Sequence, residues 1–340
     1  MRASVIVVNW RQPDLTLRAL DALARQVPSN GFEVVLVENE ATPGGTDVIR
    51  RAHPEVIVVE EPTNSGFAGG VARGIAAATG DVIVLVNNDA VPDPGFIAAG
   101  LAALDAAGPT YAAVSAAVVL EGLFASTGTP GPHTLVGLDG ALWARTEDPT
   151  RGTAVMNGTG IEMTRDGNGY DREWLAPADD VSSRSDPFGF SGGAAFLRRD
   201  ALEAVGGFDD DLFMYYEDLD VSWRFRLAGL QIGFAPEARI VHRHAGSSSS
   251  GSELIRRQSI RNRLAVVLRN GSATFITRVV FRTLARLVRD TLTPGQAYLS
   301  RDAWRGVLRE LPGLVAGARR KRRADRILGP RRREVEDLLG

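Results

Sequence analysis

Four short apolar runs in the first third of the chain limit its fold more than any other feature. They lie at Val5–Val8, Val34–Val37, Val56–Val59 and Val82–Val86, each rich in β-branched residues and none alternating with polar ones. A strand wet on one face alternates; a strand covered on both faces does not. Between the runs the apolar residues change to helical spacing, as at Leu15, Ala19, Leu20 and Leu23. Strand and helix in alternation predict an α/β domain with a mostly parallel sheet and flanking helices, since parallel neighbours need a crossover that packs back onto the sheet.

Beyond this region the pattern changes. Residues 121–187 are rich in Gly, Thr, Pro and Asp with weak periodicity, which predicts a long irregular insertion of the kind that carries specificity. Order resumes at 188. A helix is expected from about Asp218 to Ala228, stopped by Gly229, then two short strands at Ile232–Ala235 and Arg239–Val241. The Ser/Gly run Ser247–Ser252 suggests a boundary, giving one domain over 1–250 and a C-terminal helical basic extension over 251–340.

The net charge of −2 hides a division. Residues 1–253 carry 18 Lys+Arg against 34 Asp+Glu, a net of −16, whereas residues 254–340 carry 21 against 7, a net of +14. A basic extension meets something anionic: nucleic acid, a lipid surface, or the acidic body itself. The body is acidic and no nucleic-acid motif accompanies the basic residues, so nucleic acid is not the expected partner. In FITRVVFRTLARLVRD, Ile276, Val280, Leu284, Leu287 and Val288 fall on one helical face, and Arg278, Arg282, Arg286 and Arg289 on the other. Such a helix either lies on a membrane surface as a peripheral contact or packs its apolar face on the main domain or a second subunit, as in a homodimer. The chain has no cysteine, so neither a disulfide framework nor a thiolate zinc site is expected. Its first apolar run is too short for a signal peptide and no run of about 18 apolar residues follows, so a cytoplasmic location is expected, at the inner face of the plasma membrane if the basic helix binds lipid.

Four stretches could carry chemistry. NSGFAGGVARG at 64–74 follows a strand and opens a helix, where glycines let a phosphate approach; the bland alternative is a tight loop needing positive φ at Gly66 or Gly69. VIVLVNNDA at 82–90 ends a buried strand in Asn87, Asn88 and Asp89, at the sheet edge where ligands bind; Asp89 could hold a hard cation or merely cap a turn. MYYEDLDVSWRFR at 214–226 puts Glu217 and Asp218 at a helix start, as macrodipole partners or as a general base with a structural neighbour, beside the aromatics Tyr216 and Trp223. IVHRHAGSS at 240–248 places His242 and His244 on one side of a strand end, a metal or phosphate role standing beside a structural one.

The blocks VIVVNW, LVEN, NSGFAGG, LVNND, FGFSGGAAFLRR and GGFDDDLFMYYEDLDVSWRFRLAG followed by VHRHAGSS resemble, in order, the family 2 glycosyltransferases of GT-A fold, most of all a bacterial rhamnosyltransferase-like branch. The resemblance spans roughly residues 3–270 and implies a nucleotide-binding half over about 1–120 and an acceptor-side half over about 121–250. It implies an inverting hexosyltransferase that uses Mg²⁺ or Mn²⁺ and a nucleotide-sugar donor (dTDP-L-rhamnose first, UDP- or GDP-sugars next). The implied acceptor is a cell-wall or surface saccharide, polyprenyl-diphosphate-linked in one version. By position, Val8, Asn9, Glu38, Asn64, Gly66, Phe67, Gly70 and Asn88 would surround the nucleotide. Asp89 and His242 would bind the metal or diphosphate, Asp218 would be the base beside Glu217, and Ser191, Gly192, Tyr216, Trp223 and His244 would meet the acceptor. Glu38 stands where the family usually has Asp, and Ala72 where it often has Asn. These departures leave a catalytically silent scaffold that binds a nucleotide sugar or glycan as the alternative.

Overall fold

The computed structural model describes residues 3–27, 31–131, 133–179, 186–243, 252–325 and 331–340. The first part alternates as its pattern predicts: β1 (Ala3–Asn9), α1 (Pro13–Ala24), β2 (Phe32–Asn39), α2 (Asp47–Ala52), β3 (Ile57–Glu61), α3 (Gly66–Ala77) and β4 (Val82–Val86). These strands pair in parallel in the order β3-β2-β1-β4. All five residues of β4 are buried, as an unbroken apolar run requires. The third run differs from expectation. It forms the sheet edge, so Ile57 is 40% exposed and Glu60 and Glu61 finish the strand in place of apolar residues.

The sheet continues through β5 (Ala90–Pro92), α4 (Phe96–Ala107) and β6 (Tyr111–Leu120). Residues 121–187 are not irregular throughout. They hold β7 (Leu123–Thr127), β8 (Leu135–Val136), β9 (Leu142–Thr146), β10 (Met156–Gly158), β11 (Ile161–Met163) and β12 (Gly169–Asp171). Strands of two to five residues are too short to show a period. Next come β13 (Ala194–Arg198), α5 (Arg199–Ala204), α6 (Glu217–Leu227) and β14 (Gln231–His242). The main path is β3-β2-β1-β4-β13-β6-β14-β5, with β13 antiparallel to both neighbours and β5 antiparallel to β14. The two short strands expected at 232–241 are one strand whose register shifts between Ala235 and Arg239. Pro236 lies in that interval, and proline cannot donate to a ladder.

Four helices follow: α7 (Glu253–Asn270), α8 (Ala273–Leu292), α9 (Arg301–Ala324) and α10 (Arg332–Glu336). They pack on the body. Leu219, Trp223 and Leu227 of α6 share one buried cluster with Ile260 and Leu264 of α7, Phe275 and Val279 of α8, Trp304 of α9 and Val335 of α10. Part of the basic excess meets the acidic body: Lys321 contacts Asp209 and Asp211 at 2.6 and 2.7 Å, and Arg269 reaches Asp220 at 3.1 Å. The face expected to be apolar on α8 packs on the body in part, through Ile276, Val280 and Leu287. Phe275, Val279 and Thr283 are buried, whereas Leu284 and Val288 are 49% and 56% exposed. Among the described residues no helix is long and apolar enough to cross a membrane.

Candidate active site

The carboxyl ends of the parallel strands gather polar side chains by necessity, because the runs that bury β1, β2 and β4 stop there. Asn9 at the end of β1 donates to Glu38 at 2.8 Å and accepts from Asn88 at 3.2 Å. Burial raises the Glu38 carboxyl above its usual range, and the bond from Asn9 only partly opposes this. Asn64 accepts from Asn39 at 3.0 Å and from the Gly66 amide at 2.8 Å, which fixes the loop into α3. Gly66 has φ +74, and a Cβ there would collide with the Phe213 carbonyl, so the tight-loop reading of this glycine holds. Gly70 has a packing role. It is buried in α3, and a Cβ would come within 2.6 Å of Val8, so Gly70 and Val8 form the seam between helix and strand. Phe67 sits on the first turn of α3, with its ring beside Gly192.

The antiparallel pairing of β5 with β14 sets His242 opposite Ala90, and so beside Asp89. His242 Nε2 lies 3.1 Å from Asp89 Oδ1, and its Nδ1 lies 2.8 Å from Asn157 Oδ1. Asn157 in turn reaches Asp171 at 3.4 Å. Asp171 is pushed up to about 7 by burial and then by the charge of Asp218, with His242 opposing. A polar chain therefore runs from Asp89 to the neighbourhood of Asp218. Neither Asn157 nor Asp171 was foreseen; both lie in the short hairpins of 121–187, where the sequence offers no periodic signal. His244 lies outside the described residues.

The three acids of α6 divide by direction. Asp220, 1% exposed, turns inward to Arg224 at 2.7 Å, Arg269 and Asn270. Burial alone would raise it, but the two guanidinium groups prevail and lower it. Asp218 faces a cleft, with one oxygen accepting the Gly192 amide at 2.9 Å. A Cβ on Gly192 would lie 3.1 Å from that oxygen, a contact that suits glycine. Burial raises Asp218, opposed by its backbone hydrogen bonds; burial and then Asp218 hold Glu217 well above the usual carboxylate range. Ser191 is anchored through its amide to Ser115 Oγ at 3.1 Å.

Phe213, Tyr215 and Tyr216, just before α6, all have positive φ, at 61°, 67° and 73°. For bulky residues this is strain of about 1–3 kcal/mol each. The Asn262 side chain of α7 donates to the carbonyls of Leu212, Met214 and Tyr215 at 2.7–2.8 Å and holds the segment in place. Tyr216 lines the cleft and its hydroxyl accepts the Gly169 amide at 3.3 Å. Trp223 does not meet the cleft. It is 0% exposed, edge-on to Phe188 and Phe275, so it is core rather than an acceptor contact. The cleft encloses about 580 Å³, and its far wall carries Arg263, Arg286 and Tyr298 from the C-terminal helical region.

Asp89 and His242 fit a divalent cation held jointly with a substrate. Their facing atoms, 3.1 Å apart, have the spacing of neighbouring ligands on one ion. Among the described residues no three His, Cys, Asp or Glu side chains converge, so the remaining positions would fall to phosphate oxygens or water.

The chain matches the glycosyl transferase family 2 model over residues 4–206, and the glycosyl transferase family group 2 model over 164–300. It is 25% identical over 254 residues to the O-antigen biosynthesis protein RfbC of Myxococcus xanthus, covering 72% of this chain but 18% of that protein. It is 27% identical over 234 residues to the N-acetylglucosaminyl-diphospho-decaprenol L-rhamnosyltransferase of Mycobacterium tuberculosis, covering 63% of this chain and 67% of that one. Among solved structures, GalNAc-T7 with UDP, GalNAc and Mn²⁺ superposes with a TM-score of 0.58 at 14% identity, over 80% of this chain and 48% of that one. That likeness concerns the fold, which is GT-A.

Proposed function

The chain belongs to glycosyl transferase family 2 and is a glycosyltransferase, and on that premise we propose that it moves a sugar from a nucleoside diphosphate to a saccharide hydroxyl, with Asp218 as general base. The observation that carries this is Asp218 itself: it faces the cleft, one oxygen is fixed by the Gly192 amide, and burial raises its proton affinity. A saccharide hydroxyl is a poor nucleophile until its proton is taken. Asp218 accepts that proton as the oxygen bonds to the anomeric carbon, and the bond from that carbon to the diphosphate oxygen breaks with its electron pair leaving on the nucleoside diphosphate. Charge spreads over the sugar as an oxocarbenium-like state, and one displacement inverts the anomeric centre. Burial and then the charge of Asp218 raise the Glu217 carboxyl well above its usual range, which disfavours a second negative charge beside the base. A divalent cation bound by Asp89 and His242 would offset the charge that grows on the departing diphosphate.

The name of the mycobacterial relative supports L-rhamnose as the sugar and a polyprenyl-diphosphate-linked saccharide as the acceptor class. The test is thermal stabilisation across dTDP-, UDP- and GDP-sugars with and without Mn²⁺, followed by turnover with the donor that stabilises. Asp218→Asn should keep the stabilisation and lose orders of magnitude in turnover, and Asp89→Ala should lose the metal-dependent stabilisation. Near-normal turnover in Asp218→Asn would remove it as the base.

A further inference from the structure

We propose that Arg263 and Arg286 bind the diphosphate of a polyisoprenyl-diphosphate-linked saccharide, so that its sugar hydroxyl reaches Asp218 while its hydrocarbon chain leaves along the outer side of α8. This rests on the transfer reaction proposed above and assigns the acceptor end of the same cleft. Glu217 and Asp218 form one wall; Arg263 of α7 and Arg286 of α8 form the other. The cleft runs on into a second hollow of about 490 Å³, where the same two arginines are joined by Arg282, Arg289 and Phe281.

Arg263 differs from Arg224 and Arg269 in its partners. Arg224 and Arg269 sit against carboxylates. Arg263 donates only to neutral oxygens, Asn168 Oδ1 at 2.7 Å and Thr283 Oγ1 at 2.8 Å, and its buried Nε has no hydrogen-bond partner. Burial lowers its proton affinity, opposed by Tyr216 and Tyr298 and, more weakly, by the carboxylate of Asp166, while the nearby charge of Arg286 lowers it further. Arg286 stacks over Tyr298 at 5.1 Å. The carboxylate one turn along, Asp290, accepts from Trp304 Nε1 at 3.0 Å and the Leu299 amide at 3.1 Å through one oxygen, Oδ2, and also feels the charge of Arg286. Two guanidinium groups facing one cleft make a site for a polyanion, since Asp166, the carboxylate that acts on Arg263, is itself paired with Arg282 at 3.2 Å, and their forked donors match paired phosphoryl groups.

The outer side of α8 accounts for the rest of the ligand. Phe281, Leu284, Val288 and Leu292 are 72%, 49%, 56% and 74% exposed and stand three or four residues apart on one face. A continuous exposed apolar stripe calls for a partner, as scattered apolar residues do not. Arg289 beside it complements phosphate charge at a bilayer surface, while Arg282 is paired with Asp166 at 3.2 Å.

The decisive measurement is calorimetric binding of farnesyl diphosphate in EDTA, so that the metal-dependent donor site takes no part. The wild-type chain should bind it more tightly than inorganic pyrophosphate, which has no hydrocarbon. Arg286→Gln, a partly exposed position, should weaken it roughly ten- to a hundredfold, the scale of one lost charged hydrogen bond. Arg263→Gln should do the same if it folds. Arg286→Gln should also keep Mn²⁺-dependent stabilisation by the nucleotide sugar, whereas failure of that stabilisation in the wild type would sink the donor reading and leave the EDTA result standing. Equal affinity in Arg286→Gln overturns the proposal. So does equal affinity for pyrophosphate, or sedimentation with phosphatidylcholine–phosphatidylglycerol vesicles without any binding of farnesyl diphosphate.

Discussion

Asp171 shares its surroundings with the proposed base, and its proton has a measurable consequence. Its folded-state pKa of about 7 lies above the unfolded value of 3.8. Between those values the folded chain holds more protons than the unfolded one, so this group makes stability fall as pH rises from about 4 to about 7. Asp171→Asn cannot ionise and should abolish that slope. In metal-free buffer its Tm should exceed the wild type by a few degrees above pH 7, with the gap closing towards pH 4, as thermal scans across pH would show. A gap independent of pH would mean that Asp171 is ionised throughout. At this scale the sequence was legible where a residue ends an element whose pattern is plain. Asp89 ends a buried run, His242 ends a strand, and Asp218 opens a helix. Asp171 ends a strand of only three residues, and nothing marks it. Trp223 misled for a geometric reason: five positions beyond Asp218, it points about 140° round the helix, into the core.

The element that aims Asp218 is the turn before α6. Its left-handed residues Phe213, Tyr215 and Tyr216 are costly, and the Asn262 amide offsets that cost by satisfying three carbonyls at once. Asn262→Leu removes a buried donor from the turn, although the Leu212 carbonyl keeps Gln258 Nε2 at 2.9 Å, and should destabilise the chain by about 1–3 kcal/mol. In the folded fraction kcat should drop while KM for the donor changes little, since the donor side is built from β1, β2 and β4. Denaturant titration and steady-state kinetics read the two effects separately; normal kcat in a folded variant would show that the turn holds its own shape. Gly66 could be anticipated, because glycine advertises positive φ. Two consecutive left-handed tyrosines could not, since tyrosine rarely adopts that conformation and its cause lies in a distant helix.

For the whole molecule, the C-terminal helices close the core. Trp223, Leu219 and Phe188 lose water only because α7, α8 and α9 cover them. A chain ending before Glu253 should expose this cluster, bind a hydrophobic dye and aggregate; a soluble, cooperatively melting fragment would refute the shared core. The α/β alternation was readable because buried strands and amphipathic helices have periods. The mutual fit of acidic body and basic helices was readable only as a charge imbalance, because pairing such as Lys321 with Asp209 joins residues far apart in the chain. The same arrangement sets an order in time. The described strands and Asp218 leave the ribosome before Asn262 does, so the strand ends proposed to hold the nucleotide can form while the turn at Tyr215 is still unpinned. The nascent chain should thus be able to hold its sugar nucleotide before it is able to spend it.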